Sequence, residues 1–585
     1  MTATAPELAP ADTEPIPGEL IDRRREEALS VGGVAAALLV WYAGVTSIDI
    51  GSITDLGILP ALNFASVLGP AMLVAAFLIS LGRGHRSGVL LVHTMALVLM
   101  LFGTGVVIEP IVSFHVSWRH AGVVDHIARG LGVDPTIDVY FNWPLFFIVA
   151  AWISDLVGAA NPIDIAAWSP VLYNLSYLFP VLVIGRSLGV NRRSLWMGIW
   201  FFYLGNWIGQ DYFSPQGIAY LGYLSIAALV FRYLLVDGDT GPSNLRTGAP
   251  QVAALGGIVV IYSLIVPTHQ LTPIVALFLV AALAFLRLGV PAAVPVYMVV
   301  AISAWWTFMA SEFLSGNLQE MVDQVGRLDA LAGANVSDRL GGSTGHQWVV
   351  RTRVISALVS WIAAFIGWLH LRRAERGPRF KAFSALFFVP FLLVPLASYG
   401  GEMVLRVFLF TLPAVAFLAT TALERIAGRS RVRFFAAAAA SLAVLFVLFP
   451  ITKYGNESTN LFTLGELELV DAAYDIAPDG SAIVAGIDNL PWKYREYDLH
   501  KHILLERIEP LPEPAELPAV VTEIAASRPP GDTFLILNRV QFHHLEVFGV
   551  WPVGTFDLLA RELLSKGVME VAFENGDGFV LRSRS

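Results

Sequence analysis

Apolar residues gather into long runs from residue 30 to residue 451, most of them near the roughly 17–25 residues that cross a hydrocarbon core of ~30 Å as helix. Thirteen runs carry this pattern: 30–48, 59–81, 88–108, 166–187, 194–208, 217–236, 252–267, 273–287, 290–309, 354–371, 383–398, 404–423 and 433–451. The runs 194–208 and 252–267 are short for a crossing. The pattern predicts a mainly α, polytopic membrane protein of about 13 transmembrane helices, with long outer loops at 109–165 and 310–353.

Two segments break the rhythm. Residues 141–160, FNWPLFFIVAAWISDLVGAA, are apolar enough to cross, yet a crossing there would put Arg186, Arg192 and Arg193 on the side poor in basic residues. The segment is therefore placed on the outer interface, a depth that suits Trp143 and Trp152. Past residue 452, charged residues return, and β-rich runs at 481–487, 533–538 and 569–575 alternate with helical stretches near 464–476, 514–527 and 555–566. This predicts a small α/β domain over 452–585, expected to position or recognise an acceptor and to carry no catalytic residue. Residues 1–29 are rich in Pro and acids without an apolar core, and predict a disordered cytoplasmic tail.

Cytoplasmic loops retain Lys and Arg. Twenty basic residues fall on one set of ends, from Arg23, Arg24 and Arg25 through Arg83, Arg86, Arg232, Arg246 and Arg287 to Arg372, Arg373, Lys381, Arg425 and Arg433. The opposite ends hold seven: Arg119, Arg129, Arg327, Arg339, Arg351, Arg353 and Arg406. The N-terminus is predicted inside and the C-terminal domain outside.

Composition agrees with a membrane chain. Of 585 residues, 56% are hydrophobic and 15% charged, where soluble domains run nearer ~25% charged. Disorder of the whole chain is excluded by 15 Trp, 16 Tyr and 36 Phe. The absence of Cys excludes thiol catalysis, disulfides and Cys-ligated metals. A net charge of −9 without a dense basic cluster excludes nucleic acid as partner.

Ionisable side chains are costly in hydrocarbon, so their placement is informative. Four polar groups collect at the predicted outer ends: Glu109, Arg119, His120, Asp125 and His126 in the loop after 88–108; Gln210, Asp211, Tyr212 and Gln216 after 194–208; His269 and Gln270 after 252–267; and Tyr399-Gly400-Gly401-Glu402 with Arg406 a turn later. Each has a plain structural account, such as a solvated helix face or an i, i+4 ion pair for Glu402 and Arg406. Their coincidence on one side favours a site. Asp237-Gly238-Asp239 reads as a turn, Asn335 and Asn456 open chance glycosylation triplets, and no phosphate-binding loop of the Walker type is present.

The order of these parts resembles the GT-C superfamily of integral-membrane glycosyltransferases, which includes protein mannosyltransferases and actinobacterial arabinofuranosyltransferases. In that superfamily a helix leads to a long outer loop with an essential carboxylate, then a juxtamembrane helix opened by a Pro-containing motif, then a helix ending in an inside Arg. The counterparts are the run 88–108, the loop 109–140, Asn142-Trp143-Pro144-Leu145 with its interfacial helix, and the run ending at Arg186. Many members place an Asp-Glu pair soon after the first helix, where this chain has Arg119-His120, so the carboxylate is Glu109 or Asp125.

The resemblance implies hexosyl or pentosyl transfer from a polyprenyl-phosphate-linked donor to a cell-envelope glycan, lipid or protein acceptor. Asp125 is then the expected base, with Glu109 its rival and Asp211 orienting the acceptor or a metal, which leaves a divalent cation as a candidate cofactor. Arg406 and His269 are expected on the phosphate, with Arg119, His120, Tyr212, Gln216, Gln270 and Glu402 around the substrate. A polysaccharide ligase or polymerase using a lipid-diphosphate donor is the alternative, kept by Arg327, Arg339, Arg351 and Arg353. A secondary transporter would need polar groups near the midplane, and a scaffold or sensor would need no polar rim.

Overall fold

The structure, a computed structural model, describes residues 17–159, 162–235, 248–324, 326–327, 340–374, 376–395 and 402–584. The expectations for residues 1–16, Asp237-Gly238-Asp239, Arg246, Asn335, Arg339 and Tyr399-Gly400-Gly401 fall outside these.

The described parts of all thirteen apolar runs fall on helices. Among the described residues, six helices are each long and apolar enough to cross a bilayer, or seven if Ala293–Phe308 and Ser311–Asn317, bent by 80°, form one span. Length and apolarity alone thus account for six or seven of the thirteen expected crossings. The other runs form shorter, interrupted or more polar helices: Gly103, for instance, separates Ser87–Phe102 from Thr104–Ile108. The chain is a multi-pass membrane protein, mainly helical, with a small C-terminal sheet domain.

The first helix starts earlier than the composition suggests, at Pro17. Glu27 is buried and takes both Arg86 Nε at 2.8 Å and Nη2 at 2.6 Å, and Glu26 pairs with Arg83, so acids expected in a tail instead continue the helix. Within the module, helix Met403–Ala427 is enclosed along most of its length. Close packing depends on small residues, as it does where lipid supplies no hydrophobic drive between helices. A Cβ on Gly198 would come within 2.4 Å of Phe417 of this helix. Trp200, a turn earlier than Tyr203, stacks on Phe77 with centroids 3.8 Å apart.

The segment placed on the interface forms helix Leu145–Val157, and the loop before it contains helix His115–Ala128. Past Tyr454 the chain builds a five-stranded sheet from β1 (Ala482–Ala485), β2 (Lys501–Leu504), β3 (Thr533–Asn538), β4 (Met569–Asn575) and β5 (Gly578–Ser583), in the order β2-β1-β3-β5-β4. β1 is parallel to β2 and β3, whereas β5 is antiparallel to β3 and β4. The two parallel pairs need long crossovers, and the chain supplies helix Leu517–Ala526 between β2 and β3. Val484, Leu535, Leu537, Phe556 and Leu581 close one side of the sheet.

The domain docks on helix His115–Ala128. Trp118 meets Phe462 and Tyr494 edge-on, and a Cβ on Gly122 would lie 1.8 Å from the Lys493 carbonyl oxygen, so only glycine permits this approach.

Candidate functional site

Helix Arg192–Gly205 gives way at Asn206 to a connection that ends where Ser214 caps helix Pro215–Leu229, accepting from the Gly217 N–H. Gly209 lies in this connection at φ +69°, and Pro215 suits the first helical turn, where its missing N–H costs nothing. The turn presents Gln210, Asp211 and Tyr212 to a cavity of about 410 Å³.

Asp211 is only 4% exposed and forms an ion pair with Lys453, from the last turn of helix Arg431–Tyr454. Asn174 Nδ2 donates to its second oxygen at 2.7 Å, and Asn206 Nδ2 donates to Asn174 Oδ1 at 2.8 Å. Buried charges persist where they are paired and hydrogen-bonded, as here. Four residues after Lys453, Glu457 lines the same cavity from a 3₁₀ turn. Burial pushes its carboxyl up to about 7; Lys453 and Arg353 oppose that rise and Asp211 adds to it. Arg353 lines the cavity as well, with Nε donating to the Thr452 carbonyl at 2.8 Å.

From this charged end an apolar wall runs along helix Thr344–Ala374: Val350, Val354, Ala357, Leu358 and Trp361 recur at spacings of three and four, with Leu405 and Phe408 opposite. One cavity therefore joins two cations, Lys453 and Arg353, and three carboxylates, Asp211, Glu402 and Glu457, to a hydrocarbon surface. It suits an amphiphile with an anionic head.

A second cavity of about 280 Å³ lies across the same turn, since Gln210 and Tyr212 line both. Arg406 lines it, with Nη1 donating to Gln216 Oε1 at 2.6 Å and Nη2 to Glu402 Oε2 at 2.9 Å. His269 Nδ1 accepts from the N–H groups of Leu271 and Thr272, each at 3.2 Å. His120 Nδ1 donates to the Phe213 carbonyl at 2.7 Å, and burial pulls the ring's pKa down to about 4. A third, apolar groove of about 460 Å³ runs beneath interfacial helix Leu145–Val157 and shares Thr268 with the second cavity.

Of the residues singled out in the sequence, the structure brings together Asp211, Tyr212, Gln216, His120, His269, Gln270, Glu402 and Arg406 around the two polar cavities. Asp125, Glu109 and Arg119 line none of the three. Asp125 accepts from the Glu496 N–H at 2.9 Å and from Arg129 Nε at 3.0 Å, and Arg129 also reaches Asp498. These are contacts with the sheet domain. Arg119 forms two bonds to Asp138, at 2.6 and 2.9 Å. Burial raises the Glu109 carboxyl, and its charged neighbours are Arg539 and Asp577 of the sheet domain.

Lys453 and Glu457 were not singled out, because they sit where the last apolar run ends and a solvated domain was expected to begin. The signal available was a Lys followed within two turns by four polar residues, Asn456 to Thr459. Among the described residues no three His, Asp or Glu side chains are placed to hold a metal ion, and Asp211 holds Lys453.

No family model and no curated protein matches the sequence. Among solved structures, the chain is similar to the apo oligosaccharyltransferase of Archaeoglobus fulgidus, with 10% identity, a TM-score of 0.48 and coverage of 80% of this chain and 71% of that one. It is also similar to ArnT from Cupriavidus metallidurans bound to undecaprenyl phosphate, with 12% identity, a TM-score of 0.46 and coverage of 84% and 97%. Both are GT-C superfamily membrane glycosyltransferases. At these identities and TM-scores the likeness assigns no donor, acceptor or residue role.

Proposed function

We propose that the protein is a membrane glycosyltransferase that moves a sugar from a polyprenyl-phosphate donor to a cell-envelope acceptor on the extracytoplasmic side. The observation that carries this reading is the 410 Å³ cavity, with Lys453 and Arg353 at its polar end and the Val354–Trp361 wall leading away from it. The donor's phosphate lies by the two cations and its tail against the wall. As the acceptor oxygen bonds to the anomeric carbon, the bond from that carbon to the phosphate oxygen breaks, and the polyprenyl phosphate leaves with the electron pair. Lys453 and Arg353 stabilise that charge. The acceptor's proton passes to Glu457, whose elevated pKa makes it a fit base near neutral pH. Asp211 positions Lys453.

Undecaprenyl phosphate added to the purified protein in nanodiscs tests this by native mass spectrometry. Retention by the parent and its loss in Arg353→Gln is expected; equal retention by both removes the phosphate from this cavity. A lipid-diphosphate donor is the second reading, favoured by the pairing of two cations in one cavity. Tighter retention of undecaprenyl diphosphate than of the monophosphate selects it.

A further inference from the structure

The 280 Å³ chamber differs in chemistry from the charged cavity beside it. Its cation, Arg406, already bonds Glu402 and Gln216. Among the described residues, the buried polar atoms of its lining without a protein partner include His120 Nε2, Trp143 Nε1 and Gln210 Oε1. Because His120 Nδ1 carries the proton given to Phe213, its Nε2 is an acceptor, as is Gln210 Oε1, while Trp143 Nε1 is a donor. A phosphodiester can only accept and would leave both acceptors unmet. Hydroxyl groups both donate and accept, and an unmet buried polar atom is costly, so the lining matches a polyhydroxylated, uncharged group. Tyr140, Trp143 and Tyr212 add aromatic faces against which the C–H faces of a sugar ring pack.

The groove that meets this chamber at Thr268 is of the opposite character. It is lined by Phe146, Ala150 and Ile153 of the interfacial helix and by Leu221, Ile261 and Leu264 of two further apolar helices, and among the described residues no charged one contributes. Chamber and groove together repeat, with a neutral head, the amphipathic plan of the 410 Å³ cavity. The two plans meet at Gln210 and Tyr212.

We propose that the chamber and groove hold the acceptor as a second lipid-anchored molecule: a neutral sugar headgroup in the chamber and its hydrocarbon tail in the groove. This rests on the reading that the 410 Å³ cavity takes the donor. The acceptor is then a lipid-linked glycan, and its hydroxyl meets the donor's anomeric carbon across the Gln210–Tyr212 turn.

The test uses the full chain in nanodiscs with methyl and octyl glycosides of glucose, mannose and arabinofuranose as probes, read by tryptophan fluorescence and calorimetry. For at least one sugar, the octyl glycoside should bind at least tenfold more tightly than the methyl one, a modest share of what seven buried methylenes supply. Ala150→Phe, which fills the groove, should abolish that chain-length gain. His120→Gln should weaken both probes of the pair by about tenfold through the loss of one buried hydrogen bond. Undecaprenyl phosphate should be retained by both variants and should not compete. A chain-length gain that survives Ala150→Phe reflects partition into the bilayer and overturns the proposal. So does competition by undecaprenyl phosphate, or the failure of every glycoside in a preparation that binds undecaprenyl phosphate. If undecaprenyl phosphate itself fails to bind the parent, the donor reading falls instead.

Discussion

Two groups of acids and bases lie on the sheet-domain side of the helical module, and they serve different ends. In one, Asp125 and Asp498 share Arg129 and tie helix His115–Ala128 to the sheet domain. In the other, Asp211 and Lys453 pair beside Glu457 and Arg353 on the wall of a cavity. The residue types are the same. The first set is partly exposed and spent on docking, with its carboxylates met by backbone and guanidinium. The second is buried, retains a carboxyl with a raised pKa, and adjoins space for a ligand. Charge patterns in a sequence therefore locate a rim without saying which charges on it meet a substrate.

The largest test of this contrast is Glu457→Gln. Transfer should fall ~10²–10⁴-fold, the usual loss of a general base. In the parent, transfer should rise with pH through about 7 as Glu457 gives up its proton. Stability runs the other way. A carboxyl whose pKa is higher in the folded state favours folding below its unfolded value of about 4.5, and this contribution is lost as pH rises through about 7. Glu457→Gln should thus gain roughly 3 kcal/mol at pH 8 while losing activity, measured by denaturant titration in detergent. Retained turnover, or no gain, would return Glu457 to a structural part.

Next in size is Lys453→Met, which strands the Asp211 carboxylate in a buried site. Breaking such a pair costs ~3–5 kcal/mol, and the thermal midpoint should drop accordingly. The double variant Lys453→Met with Asp211→Leu should recover much of that stability and no transfer. Equal stability in parent and single variant would show that water reaches the pair.

Smallest is Asp125→Asn. With its partners partly exposed, the change should cost ~0–1 kcal/mol and leave turnover within a few-fold. Abolished turnover in a normally folded Asp125→Asn protein would instead give the base to Asp125 and collapse the distinction between the two groups.

Much of the fold is legible in the chain. The described part of each of the thirteen apolar runs falls on helix, residues 145–157 form the separate helix expected there, and the runs at 481–487, 533–538 and 569–575 contain β1, β3 and β4. Helix Arg539–Phe548 and the strands β2 and β5 were not anticipated. β2 is the four residues KHIL, three of them at least partly exposed, and β5 opens with Gly578 at φ +154°, so neither shows the apolar run that marks a buried strand.

For the site, the sequence by itself determined that polar residues fall at the ends of the apolar runs, because the cost of burying a charge in hydrocarbon acts on each run locally. It also determined that Gln210, Asp211 and Tyr212 interrupt an apolar stretch just before a Pro-opened helix. Only the tertiary structure decided that Lys453, 242 residues from Asp211, supplies its counter-charge, and that Glu457 shares their cavity. The same holds for Asp125, whose carboxylate meets the Glu496 N–H across 371 residues. Hydropathy and capping are summed over neighbours a turn or two apart. Which carboxylate faces a cavity and which faces a docked domain depends on how distant helices pack, and no local pattern encodes that.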